Sequence, residues 1–485
     1  MQSRRDQVQA HLFVMNRLGA GMLRGDPDAP DLPTRRTTRG VRTSVFLTVL
    51  IALVIGLYGA VRPGGATGWA KPGTLVVVKE TGARYLFVGG QLRPVLNQAS
   101  ARLVAGEKMT VAQVGVASLK AAPRGGPVGI VGAPDGLPAR SALDGGAWLV
   151  CGLVGRAPTG GAVPLLSVAV GAGSAGQALS PEQGVLVATP DGVQHVLWQG
   201  KRLRLDTGAA TALGYTSATP YPVSPGQLNS LPAGPDLAPP EIPGRGGAGP
   251  APAGRQTRVG QLFTGPAGEP YVLTQQGFAR LGPTAFELLR GDPRTQREAY
   301  AGAPATVQAV GAADLADRSA PAGTLRDSGL PATPPRLVVP APGQAVCTRL
   351  EPAAGGPRTL VSLVASATVS GLPPAAQPGV VPGCGGADRV SVRPGAGALV
   401  RALSGAGAPG GTYLVSDNGV KYPVPSPDAV KALGYEGAAA VGMPSALLSL
   451  LPTGPSLDPA ALASASVVEP PAGEPCPAGG GASGS

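Results

Sequence analysis

Histidine is nearly absent from this chain of 485 residues: only His11 and His195 occur. Its four cysteines form no CxxC pair, so a zinc site of Cys and His ligands has no donor set to draw on. Aromatic residues amount to 4%, too few for base-stacking platforms, and the net charge of +11 is spread thinly instead of gathered in blocks. Nucleic acid is therefore not the expected partner. An intact P-loop is missing as well. That loop needs glycine amides around the phosphates, a Lys on the outer phosphates and a Ser or Thr on magnesium. In the nearest stretch, Gly171-Ala172-Gly173-Ser174-Ala175-Gly176-Gln177-Ala178, Gln177 replaces the Lys and Ala178 the hydroxyl. The one Gly-Lys pair, Gly200-Lys201, has His195 where the first glycine should stand. No nucleotide, metal or other cofactor is expected.

Long hydrophobic runs are also scarce, and the one present sets the topology. Thr43 to Val61 carries no charge and would span roughly 28 Å as a helix, enough for a bilayer core. A secretory signal core would be shorter and end at a small-residue cleavage site. Eight Arg and four Asp lie in the first 42 residues, and a basic flank of this kind stays in the cytoplasm. The expectation is a single-pass protein of the cytoplasmic (inner) membrane, with its N-terminus cytoplasmic and its bulk in the periplasm. Upstream, Val8, Leu12, Met15, Leu18 and Met22 recur at helical spacing. Asp6, Gln7 and Gln9 dilute the basic character of this helix, which favours a cytoplasmic protein partner over the lipid surface.

What the chain has in abundance is 75 glycines and 54 prolines, together with 43% hydrophobic residues in short runs. That mixture suits many short strands and tight turns joined by extended linkers. Cys151, Cys347, Cys384 and Cys476 all lie beyond the span, where an even count in an oxidising compartment favours disulfides of any of three connectivities. The charge beyond the span reads first as a generally solvated surface, with acidic cell-wall polymer or lipid head groups as the candidate contacts.

One small pattern recurs four times. An apolar strand leads to a turn ending in glycine, with a ring three residues later: Gly82 and Tyr85, Gly192 and His195, Gly268 and Tyr271, Gly419 and Tyr422. Asp191-Gly192 and Asn418-Gly419 suggest type I′ hairpins. A short helix follows each, ending near Gly106, Gly214, Gly291 or Gly434, with Asp206 and Ser426 as N-caps. The second and fourth copies share Ala-Leu-Gly-Tyr (212–215, 432–435) and an LPxGPxL tail (231–237, 451–457); the first and third lack that tail. A ring packed beside a hairpin accounts for His195 better than a catalytic base does. The carboxylates Asp236, Glu287 and Asp388 show no acid/base spacing, so no catalytic residue is assigned. Trp148 is expected to pack against a disulfide at Cys151. In Lys201-Arg202-Leu203-Arg204, Leu203 is expected to face inward.

These residues together resemble the EccB family, the membrane-core subunit of the actinobacterial type VII (ESX) secretion system. The likeness rests on SRRDQVQAHLFVMNRLGAGMLRGD at the start, Arg62-Pro63 after the span, GADRVSVRPGAGALVRA at 386–402, and the run from YLVSDNGVKYP to LLPTGPSLDP. It implies a mixed α/β, β-rich fold. One transmembrane helix would be followed by an elongated periplasmic domain, with four β-hairpin/helix repeats around a discontinuous, disulfide-linked central β domain. It implies a Cys151–Cys347 disulfide and leaves Cys384 and Cys476 open, pairing with each other at most. The implied partners are an EccC-type FtsK/SpoIIIE ATPase, EccD, EccE, the mycosin protease and further copies of the chain. The implied role is structural, in protein export; a cell-wall-binding module and an ATPase, as the family is sometimes described, are the alternatives. The expected layout is 1–42 cytoplasmic helix and basic linker, 43–62 span, 73–125 repeat 1, and 126–183 first central segment. Then follow 184–240 repeat 2, 241–256 linker, 257–300 repeat 3, 301–335 linker, 336–405 second central segment, 406–466 repeat 4 and 467–485 flexible tail.

Overall fold

The computed structural model describes residues 4–25, 34–61, 68–156, 160–173, 176–250, 256–325, 329–353, 356–383, 385–405, 407–464 and 466–471. Two helices come first, α1 (Arg4–Arg24) and α2 (Thr34–Val61). Within α2, Thr37–Tyr58 is long and apolar enough to cross a membrane. The helix begins earlier than the hydrophobic run because nothing in its basic first turns breaks it. The hydroxyls of Thr43, Ser44 and Thr48 donate to the carbonyls of Arg39, Gly40 and Ser44, so each is satisfied within the helix.

The first copy runs β1 (Thr74–Val78), β2 (Arg84–Val88), β3 (Gln91–Pro94), α3 (Gln98–Ala105) and β4 (Thr110–Val114), and is followed by the short β5 (Gly129–Ile130). Next come β6 (Trp148–Arg156), β7 (Ala162–Ala169) and β8 (Gln177–Ala178). The second copy is β9 (Gln183–Ala188), β10 (Gln194–Trp198), β11 (Lys201–Leu205), α4 (Thr207–Ala212), β12 (Tyr221–Pro222) and α5 (Pro225–Asn229). The third is β13 (Leu262–Thr264), β14 (Pro270–Thr274), β15 (Gly277–Arg280), α6 (Pro283–Gly291), α7 (Pro293–Ala299), β16 (Gln308–Ala309) and α8 (Ala312–Arg318). After it stand β17 (Arg336–Leu337), β18 (Gln344–Glu351), β19 (Arg358–Ala365), α9 (Ser366–Val369) and β20 (Arg389–Ser391). The fourth copy is β21 (Ala398–Leu403), β22 (Pro409–Val415), β23 (Lys421–Val424), α10 (Pro427–Ala432), β24 (Val441–Pro444) and α11 (Ser445–Leu448); β25 (Val467–Val468) closes the chain and pairs with β5.

All four copies share one topology. Three strands form a meander, a helix crosses over, and a fourth strand lies beside the first, giving the order third-second-first-fourth in every sheet. The fourth strand runs parallel to the first in copies two, three and four. Between the copies, two distant segments build one six-stranded sheet, ordered β20-β7-β6-β18-β19-β8. One face of it carries copy four on Trp148, Val150 and Leu350, and copy two on Val346 and Val361. The other face holds Leu149, Cys151, Cys347 and Val364. The copies also pair through their helices: α3 packs on α10, and α4 on α6. The cores follow suit, one shared by copies one and four, another by two and three.

Several segments differ from their sequence reading. β21, placed in the second central segment, is the first strand of copy four. The stretch 241–250 is no free linker, since Ile242 is buried and Arg245 forms a buried ion pair with Asp292. The stretch 301–335 supplies β16 and α8 to copy three. Val467 and Val468, at the start of the expected tail, form a strand, while 472–485 lie outside the described residues.

Candidate functional site

The chemistry-bearing residues fall into two groups: the disulfide-linked centre of the sheet, and the turns and straps of the copies. Cys151 and Cys347 stand directly opposite each other on β6 and β18 and are disulfide-bonded, with Cα atoms 4.0 Å apart. Both are fully buried. Trp148 does not pack on them. It lies three residues before Cys151, an odd step along a strand, which sends the two side chains to opposite faces. Cys384 and Cys476 lie outside the described residues.

Each turn glycine has a positive φ: Gly82 69°, Gly192 83°, Gly268 84° and Gly419 78°. Neither Asp191 nor Asn418 does, so these are not type I′ turns. Gly192 and Gly419 donate back to Thr189 and Ser416, a type I turn closed by a left-handed glycine. Two-residue turns with both φ values positive are instead Gly89-Gly90, between β2 and β3, and Gln199-Gly200, between β10 and β11.

Tyr85, His195 and Tyr271 occupy equivalent half-buried places on the second strand, opposite Val76, Val187 and Phe263. Burial lowers the His195 pKa, and Arg202 and Arg204 lower it further. Tyr422 does not belong with them. It sits on β23, a third strand, fully buried opposite Leu414. Burial raises its pKa, and its hydroxyl accepts from Asn418 at 3.0 Å.

The backbone proves the shift. In copy two, the Arg202 amide donates to Pro232, Gly234 donates to Arg202, and Leu237 donates to Arg204. Copy four repeats this with Lys421, Pro452, Gly454, Leu457 and Pro423, so Tyr422 matches Leu203. The LPxGPxL tail is thus a strap that covers the open edge of the third strand. Copy one has the same strap in Pro123, Gly125 and Val128 on Leu92 and Pro94, and copy three a short one at Ala320 on Phe278. The first and third copies lack the LPxGPxL sequence but carry a strap in the same place. Leu203 itself is buried, and Lys201 and Arg204 are exposed.

The strap glycines are unequal. A Cβ on Gly454 would overlap the Tyr422 ring, whereas on Gly234 it would touch Leu203 Cγ at 3.4 Å. Gly454→Ala is expected to cost about 2–3 kcal/mol and Gly234→Ala under about 1 kcal/mol, read from urea unfolding midpoints. The shared Ala-Leu-Gly-Tyr has a similar purpose. Tyr215 and Tyr435 donate their buried hydroxyls to Pro335 at 2.6 Å and Pro138 at 2.8 Å, tying each helix end to a distant segment. Burial pushes Tyr215 up to about 12 and raises Tyr435 too, so both remain donors.

Neither glycine-rich stretch forms a phosphate cradle in its described part. Gln177-Ala178 is the edge strand β8 paired with β19, with 174–175 outside the described residues. Lys201 opens β11 directly after a two-residue turn.

A family model described as type VII secretion system ESX-1, transport TM domain B (EccB), matches residues 1–469. The chain belongs to the EccB family. Among relatives of this EccB chain, the ESX-3 secretion system ATPase EccB3 of Mycolicibacterium smegmatis is 29% identical, over 93% of this chain and 89% of that protein. The ESX-2 secretion system ATPase EccB2 of Mycobacterium tuberculosis is 30% identical, over 94% and 93%. A chain of the intact ESX-5 inner membrane complex superposes with a TM-score of 0.63 at 25% identity, over 99% of this chain and 98% of its own. A chain of the EccB3 dimer from the ESX-3 core complex gives 0.63 at 26%, over 81% and 100%. With one helix among the described residues long and apolar enough to cross a membrane, and its likeness to an inner membrane complex chain, this EccB is a single-pass inner-membrane protein.

Proposed function

We propose that this chain is a structural subunit of a type VII secretion membrane complex, required for protein export across the cytoplasmic membrane. The observation that carries the reading is its likeness, along nearly its whole length, to a chain of the intact ESX-5 inner membrane complex. The N-terminal helix and the eight arginines of the first 42 residues lie in the cytoplasm, and the four copies with their central sheet lie outside. Further copies of the chain, an EccC-type FtsK/SpoIIIE ATPase, EccD, EccE and the mycosin protease are its neighbours. The relatives' names carry ATP hydrolysis; the reading assigns that chemistry to the FtsK-like neighbour. Hydrogen-bonded straps, shared cores and helix pairs support a rigid load-bearing part.

Affinity purification through a C-terminal tag from mildly extracted membranes tests this. A megadalton band holding an FtsK-like ATPase and a multi-span EccD-like protein is the expected result. A chain that travels alone, or with wall fragments only, would sink it. The purified chain by itself should show no ATP turnover above a sample carrying Gln177→Ala and Lys201→Ala.

A further inference from the structure

The central sheet stops abruptly on both sides of its longest hairpin. β6 pairs with β18 only from Trp148 to Gly152, yet continues with β7 as far as Arg156. The ladder ends where copy two inserts a side chain: the Tyr221 hydroxyl lies 2.9 Å from the Gly152 carbonyl and 3.3 Å from that of Gln344. On the other edge, β7 pairs with β20 only from Ser167 to Ala169, and the next outward amide, Leu166, donates to the Asp388 carboxylate at 2.7 Å. Beyond these two stops a two-stranded ribbon, Leu153–Arg156 with Ala162–Leu165, leaves the sheet. Gly155 lets it stay thin, since a Cβ there would lie 2.7 Å from Leu165 Cδ1.

The two edges of the ribbon are not alike. Backbone polar groups alternate along a strand, so the residues facing outward on β7 beyond Leu166 are Pro164 and Ala162. Proline has no N–H, so that edge is blunted. On β6 the outward groups beyond Gly152 belong to Val154 and Arg156. Neither residue is proline, and no other strand pairs with them among the described residues. Val154 and Val163 are 52% and 37% exposed, and Arg156 is the only charge on the ribbon. Leu153 anchors the inner end of the ribbon in the sheet's core, but its outer half has no third strand among the described residues, and an open, nearly uncharged edge invites another strand.

We propose that the β6 edge of this ribbon joins the same edge of a second copy, making one sheet continuous across two chains. The inference rests on the assembly reading above and names the surface it uses. Antiparallel pairing of identical strands about a two-fold axis is self-complementary. Centred on Gly155, it sets Val154 of one copy against Arg156 of the other, so like charges do not face. An anionic polymer would need more than the single arginine present.

The test uses the full chain in mildly extracted membranes, with p-benzoylphenylalanine placed at Val154 and, as a control, at the exposed Val339. Illumination is expected to give a homodimer at Val154 only, with the cross-link mapping to Leu153–Arg156 of the other copy. Val154→Pro, which removes the open-edge donor, is expected to weaken association at least about tenfold, close to 1.4 kcal/mol, with the Cys151–Cys347 bond still formed. Oligomers on native gels whose cross-links map elsewhere, or to another protein, overturn the ribbon contact and leave the assembly reading standing. A chain that sizes as a monomer within every particle overturns both.

Discussion

Replacing Cys151 and Cys347 together by alanine is expected to lower the unfolding free energy by about 5 kcal/mol. The bond closes a loop of 196 residues that contains the whole of copies two and three. Opening it frees that loop in the unfolded chain, and the chain-entropy term grows with the logarithm of loop length. Alanine is the cleaner replacement, because the two sulfurs lie among Leu149, Ala345 and Val364, where serine would bury hydroxyls without partners. Equilibrium urea unfolding of the purified chain in detergent measures the difference. A change under about 1 kcal/mol would mean that the unfolded chain keeps its two central segments together without the bond. Both cysteines are inaccessible, so a mild reductant should leave the bond intact until urea opens the sheet.

Much of this architecture was legible along the chain. The membrane helix, the four-fold recurrence, the caps Asp206 and Ser426 and a central sheet from two segments all follow from local patterns. The errors came from long-range contacts. Gly419 and Tyr422 copy the local pattern of Gly192 and His195, but which hairpin of the meander they occupy depends on where β24 pairs, and β24 lies some twenty residues further on. The straps of copies one and three escaped because backbone bonds hold them, and Pro123-Arg124-Gly125 keeps only the short Pro-x-Gly of Pro232-Ala233-Gly234. The linkers were misread from composition: proline and glycine mark turns as readily as free chain, and Arg245 reaches Asp292 from such a stretch. The Trp148 error was avoidable, since a step of three along a strand crosses the sheet.

The same strand shift explains the largest pH effect expected of this protein. Lys421 takes the place that Leu92 and Phe278 hold in copies one and three, and Arg202 in copy two. It is 7% exposed, and its ammonium donates to the Leu451 carbonyl at 2.7 Å, with no carboxylate ion-paired to it among the described residues. Burial lowers its pKa from 10.5 to about 8. Between those values the unfolded chain holds a proton that the folded chain has lost, so stability should rise with pH across that window. The gain should approach about 3 kcal/mol by pH 11 and disappear as the pH falls through 8. Lys421→Met removes the ammonium and should abolish the rise. At pH 7 the substitution also orphans the Leu451 carbonyl, which costs roughly 1–3 kcal/mol and offsets much of the relief from burying no charge. The decisive reading is therefore the slope and not the level. Unfolding free energies measured from pH 7 to 11 should climb for the parent chain and stay flat for Lys421→Met once other titrations, common to both, are subtracted. Parallel curves would show that the lysine keeps its proton through the solvation of its carbonyl partner, and that the strap of copy four tolerates a buried charge at no cost.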